Sequence, residues 1–200
     1  LTRRSFLQST VATVGALAAT PAFSGQEPRK PFNRQIEHAR EVASSILKPT
    51  PQQLEHGLRL HRESVVFDAY GFAPRSAVDG DALAQLIDEG CSYLEYKDMN
   101  EDMSMTRCVT DPVEQAEFLE AWRASGVTCI YQNAGEEGQS VMMLMKRLSR
   151  FTFLTDMLRE SVSKAVTPDD VEAANTAGRH CLYLTGNGVP LTEQIGRAHV

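Results

Sequence analysis

Histidine is scarce in this chain: five occur in 200 residues. One of them, His199, falls in the closing hexapeptide 195–200, which reads like translated adapter DNA. His38, His56, His61 and His180 remain for chemistry, a thin supply for a metal site built on imidazole. Cysteine is equally sparse. Cys91, Cys108, Cys129 and Cys181 lie far apart with no CxxC or Cys/His spacing, so neither a zinc knuckle nor a redox motif is suggested, and small buried apolar residues are the expectation ahead of a disulfide or ligand role. Basic charge is also in deficit, 20 Lys and Arg against 26 Asp and Glu for a net charge of −6. With no Lys/Arg cluster beyond the amino terminus, the chain has no electrostatic footprint for nucleic acid or an anionic membrane. Long hydrophobic runs are missing too. The mildly apolar tract 9–22 is shorter and less apolar than the roughly 20 residues of a spanning helix, which argues against a stable membrane span.

What the amino terminus does contain is an address. Thr2-Arg3-Arg4-Ser5-Phe6-Leu7 resembles the twin-arginine export motif, and the uncharged tract follows it directly. The expectation is a cleaved signal peptide over 1–24, a polar, proline-containing linker over 25–31, and a periplasmic or extracytoplasmic product handled by the twin-arginine export machinery. Export would permit a disulfide without requiring one. Leu1 in place of Met and the adapter-like tail suggest a gene fragment, with the folded part spanning 32–194.

Periodicity then divides the folded part. Helical spacing of Ile36, Ala39, Val42, Ala43, Ile46 and Leu47 predicts a helix over 33–47, stopped by Pro49 and Pro51. Thr50-Pro51-Gln52-Gln53 supplies the N-cap, first-turn proline and capping-box Gln of a second. Beyond this pair, strands are expected at 64–70, 91–96, 127–132, 162–166 and 180–184. Helices are expected at 79–88, 111–124 (ended by Gly126), 139–150 and 167–177 (stopped by Gly178). Alternation without hairpin signals predicts a parallel α/β sheet, and short connections predict neighbouring strands.

Two stretches carry a resemblance. Leu60-His61-Arg62 with Ser64-Val65-Val66-Phe67-Asp68 resembles the helix-to-first-strand junction of the membrane (renal) dipeptidase family. Residues 167–174 with 177–184 resemble that family's helix and strand before its bridging glutamate, and the spacing through Asp111-Pro112-Val113-Glu114-Gln115 matches as well. The similarity covers about 54–191. It implies the N-terminal part of a (β/α)8 TIM-type barrel preceded by two helices, a hydrolase acting on dipeptides or small amides, and a binuclear zinc site. The chain departs from the family at the ligands: Tyr70 and Phe72 stand where a His and an Asp bind zinc, and Gly186 (Thr185 on a one-residue shift) where the metal-bridging Glu stands. Phenol, phenyl and hydrogen cannot replace imidazole and carboxylate, so a normal two-metal site cannot be built from these positions. Three functional readings follow: a hydrolase homologue with an altered or lost early metal site, a non-catalytic barrel that binds peptide or cell-envelope fragments, and an unrelated α/β-barrel enzyme processing a sugar or amide, since fold does not fix function.

The carboxyl ends of barrel strands face the site. That rule selects Asp68 and Tyr70, Glu95 and Lys97, Gln132 and Asn133, then Thr185 and Asn187, with Asp68, Tyr70, Glu95, Asn133 and Asn187 as the catalytic candidates. Each has a plainer alternative. Asp68 can bond backbone at a turn, Glu95 and Lys97 can form a strand-end ion pair, and the Glu136-Glu137 pair can belong to a solvated loop. His180 precedes a strand and His61 lies near a helix end, where packing is expected of both. Residues 101–105 read as a polar loop after the second strand.

Overall fold

A computed structural model of the chain describes residues 32–136 and 139–188; the expected signal, linker and adapter-like tail lie outside them. Two capped helices come first. In α1 (Arg34–Leu47) the Asn33 side chain accepts the Gln35 and Ile36 amides, and Lys48 ends the helix in the left-handed region ahead of Pro49. In α2 (Pro51–Glu63) Thr50 and Gln53 form the expected capping box. Neither helix has a buried residue. Asn33 ties α1 to the rest of the chain: its amide N–H donates to Glu120 Oε1 at 2.8 Å.

The remainder alternates as β1 (Phe67–Gly71), α3 (Gly80–Asp88), α4 (Tyr93–Thr110), α5 (Pro112–Ser125), β2 (Cys129–Gly135), α6 (Val141–Met157), β3 (Val162–Ala165), α7 (Pro168–Thr176) and β4 (His180–Gly186). Every strand pairing is parallel. The expected mixed α/β character with a parallel sheet therefore holds, and the described residues form four strands and seven helices. None of these helices is long and apolar enough to cross a membrane.

Three expectations are corrected. The segment 91–96 is a turn followed by the start of α4, not a strand. Ser92 caps the helix, its hydroxyl accepting the Glu95 amide while the Glu95 carboxylate takes the Ser92 amide at 2.7 Å. This Ser-x-x-Glu box outweighs a short apolar run whose Tyr93 and Leu94 are 72 % and 75 % exposed. The expected loop 101–105 consequently lies inside α4.

Strand order is the second correction. Sequential strands are not all neighbours: the order is β1-β2-β4-β3. β4 is apolar on both faces where it is fully buried, at Cys181 and Leu182, and so suits the interior of the sheet. β3 has four residues and an exposed Lys164, both suited to an edge. The reversal of direction from β3 back to β4 also explains the layering. Right-handed crossovers in opposite directions put their helices on opposite faces, α6 on one and α7 on the other. Third, β1 opens at Phe67 rather than at residue 64; Phe67 to Tyr70 are exposed and only Gly71 is covered, as suits the opposite edge of the described sheet.

Period-two alternation builds two cores. Ile130, Leu182 and Val162 point to the face that packs Met105, Cys108, Phe118, Trp122, Phe151 and Leu154 of α4, α5 and α6. Cys129 and Cys181 point the other way, against Ala165 and the α7 residues Val171 and Ala174. At the amino-terminal end of the sheet, Gly126 terminates α5 at φ 65°, and a Cβ there would lie 2.7 Å from the His61 ring. His61, although exposed, therefore lies against the Gly126 turn. His180, the first residue of β4, stacks on the fully buried Trp122 at 5.0 Å and hydrogen-bonds through Nδ1 to the Val127 carbonyl at 2.6 Å.

Candidate functional site

The carboxyl ends of β1, β2 and β4 bring three of the candidate side chains into one hydrogen-bonded group. Asn133 lies near the end of β2, beside Thr185 of β4 in register. Asn187 follows β4; its backbone N–H donates to the Gly135 carbonyl at 2.9 Å and to Asn133 Oδ1 at 3.3 Å. Its side-chain amide reaches across to Tyr70, donating from Nδ2 to the phenol oxygen at 2.8 Å. Tyr70 in turn stands edge-on to Phe72, with ring centroids 6.2 Å apart. The result is a patch of the exposed Asn187 amide, a phenol and a phenyl ring, with Tyr70 and Phe72 64 % and 58 % exposed and Asn133 itself buried.

The other candidates do different things. Asp68 Oδ1 accepts the Tyr70 amide at 3.1 Å, a local turn contact that orients Tyr70. Gln132 is buried beneath the strand end: its Oε1 accepts the Ala73 amide at 2.6 Å and its Nε2 donates to the Asn133 carbonyl at 3.0 Å. It therefore straps the segment after β1 onto β2. Glu95 is not at this edge, because residues 91–96 do not form a strand. Its bonds to the Ser92 amide, then to the Ser92 hydroxyl, hold its carboxyl below the usual range. Lys97 forms no pair with Glu95 and lies over the Tyr93 ring at 5.6 Å. Glu136 pairs with Arg147 at 2.7 Å, while Glu137 lies outside the described residues.

Gly186 has a steric reason to be glycine. Its backbone abuts Gly135 of β2, so a Cβ on Gly186 would sit 3.2 Å from the Gly135 Cα; one on Gly135 would sit 2.6 Å from the Gly188 carbonyl. Close backbone contact with Gly135 thus leaves no room for a side chain at Gly186. Tyr70 and Phe72 add no imidazole or carboxylate, and the described residues contain no group of three His, Cys, Asp or Glu with ligand geometry. The residues present do not fit a two-zinc centre.

A second polar cluster was not expected from the sequence. Arg150 of α6, 8 % exposed, bonds Asp98, Glu101 and Asp102 on successive turns of α4 at 2.8, 3.1 and 2.8 Å. Lys146 pairs with Asp98, and Arg147 with Glu101 at 2.6 Å. The Lys146 hydrogen bond outweighs burial, which opposes it, and together with Arg150 holds the Asp98 carboxyl below its usual range. Burial alone would lower the Arg150 value, but Asp98 and Asp102 outweigh it and hold the guanidinium charge. A cavity of about 550 Å³ opens beside the cluster, lined in part by Leu86, Glu95, Asp98, Met99, Asp102 and Arg150. With its charges satisfied across the helix pair, the cluster fastens α4 to α6. The i, i+3 and i+4 spacing of 98, 101 and 102 was the available signal, hidden by reading 91–96 as a strand.

Compared with models of known protein families, with curated proteins and with solved structures, the chain matches none.

Proposed function

We propose that this chain is an exported, dipeptidase-like protein that binds a small peptide or amide, such as a cell-envelope fragment, at the carboxyl edge of its sheet without an early metal site. The observation that carries the reading is the Tyr70–Asn187–Asn133 chain of hydrogen bonds beside exposed Phe72. The Asn187 amide and the Tyr70 phenol offer donors and acceptors matched to a peptide bond, and the rings offer an apolar contact. Asp68, the carboxylate among the candidates at this edge, has one oxygen taken by the Tyr70 amide, which favours binding over hydrolysis. Any zinc chemistry inherited from such a family would need ligands other than Tyr70, Phe72 and Gly186.

The finer reading of the fold, the first part of a (β/α)8 barrel, belongs to the same proposal. β1, β2 and β4 keep their chain order, with β3 and α7 as an addition at the edge. The strand β3 meets only His180–Tyr183, so Leu184 to Gly186 have no strand on that side among the described residues. Phe67, Tyr131 and Tyr183 form an aromatic row on the α7 face, with Phe67 still 40 % exposed, as on an incompletely lined interior.

Calorimetric titration of the purified chain with an amidated dipeptide tests the function. Tyr70→Phe keeps the ring and removes the hydroxyl, and is expected to weaken binding roughly fivefold, one neutral hydrogen bond. Equal affinity in parent and variant, or turnover of the dipeptide that requires added zinc, would overturn the reading.

A further inference from the structure

Cys129 opens β2 and Cys181 is the second residue of β4, and the two are register partners on adjacent parallel strands. Both project to the α7 face, into one cluster with Ala165, Val171 and Ala174, and both are fully buried. Adjacent strands lie about 4.8 Å apart, inside the roughly 4.4–6.8 Å between the Cα atoms of a disulfide. Each thiol shifts the other: Cys181 favours the thiolate at Cys129, and Cys129, with burial, keeps the proton on Cys181. The other two cysteines are set apart: Cys108 packs in the core on the opposite face and Cys91 is half-buried in the turn before α4.

We infer that Cys129 and Cys181 are a reversible dithiol–disulfide site that closes across the β2–β4 seam by exchange with a small-molecule disulfide. The Cys129 thiolate attacks one sulfur of the oxidant, here oxidised glutathione, and expels one glutathione thiolate. Cys181 gives up its proton and attacks the Cys129 sulfur of the mixed disulfide, which releases the second glutathione thiolate. Two electrons pass from the protein to glutathione, and the two protein protons end on the two glutathione thiols. Burial places a gate on the first step. The oxidant reaches Cys129 during folding or when the small β3–α7 corner opens. Closure ties together the strands whose far ends hold Asn133 and Asn187, yet the inference stands apart from what that edge binds.

Peptide mapping of the full chain is the test. The chain is held with oxidised glutathione in native buffer and, separately, during refolding from urea. It is then alkylated in denaturant and digested without reduction for mass spectrometry. The expected product is a Cys129–Cys181 linked peptide that dithiothreitol removes, with Cys91 and Cys108 alkylated. In a Cys91→Ser, Cys108→Ser variant the same treatment should take alkyl uptake from two groups per chain to none. Linkage under refolding alone supports the site and locates the barrier in access. Absence of the linked peptide in both regimes, with Cys129 and Cys181 alkylated or merely glutathionylated, overturns it, as does preferential linkage to Cys91 or Cys108.

Discussion

His180 is the residue whose chemistry the fold alters most visibly. Burial pushes its imidazole below the usual histidine range; the Val127 carbonyl opposes the shift and Arg123 adds to it. The unfolded chain takes up a proton as pH falls below about 6.5, while the folded imidazole resists until lower pH. The folded pKa is depressed, so this contribution to stability is complete above about pH 6.5 and is lost as pH falls through the folded value. The stability of the parent in melting curves should decline as pH falls below about 6.5, at no more than about 1.4 kcal/mol per pH unit from this group. His180→Phe keeps a ring against Trp122 and should flatten that part of the profile. The slope is the readout, because the variant also leaves the Val127 carbonyl without its partner. An unchanged slope in the variant would show that His180 is not the group responsible.

At the scale of elements, α4 shows how capping decides a segment that periodicity leaves ambiguous. Ser92 and Glu95 satisfy amides at the start of the helix, and the acidic turn that follows engages α6 through Arg150. Ser92→Ala removes the cap and should cost about 1 kcal/mol in urea unfolding. Glu95→Gln preserves the reach of the box and should leave stability and dipeptide binding near those of the parent. A large loss of binding in Glu95→Gln would restore Glu95 to the functional site. The glycines beside the candidate site act at this scale as well. Gly135 and Gly186 let β2 and β4 close backbone to backbone, which fixes Asn187 within reach of Tyr70.

For the whole molecule, the proposal of export joins the amino-terminal address to a folded product. A twin-arginine pathway reads the guanidinium pair itself, so Arg3→Lys with Arg4→Lys keeps the charge but should leave unprocessed precursor in the cytoplasm. Cell fractionation with immunoblotting checks it, and normal appearance of mature protein outside the cytoplasm would remove the export reading. The folded part presents apolar surface on its first two helices, where Ile46, Leu47, Leu58 and Leu60 are each more than half exposed.

Local chemistry was legible in the sequence wherever neighbours along the chain decide the outcome. The caps at Thr50 and Thr167, the helix opening at Asp111-Pro112, the stop at Gly126 and the parallel character of the sheet follow from short-range hydrogen bonding and periodicity. So did the Tyr70, Asn133 and Asn187 positions, since strand ends deliver side chains to one edge. The tertiary structure alone decided which strands are neighbours, because a crossover can pass over one strand as readily as stop beside it, and the burial of β4 selects the interior place. It alone put Cys129 beside Cys181 and Arg150 among three carboxylates. Those contacts join residues about fifty positions apart, and nothing in either local segment specifies the other's register.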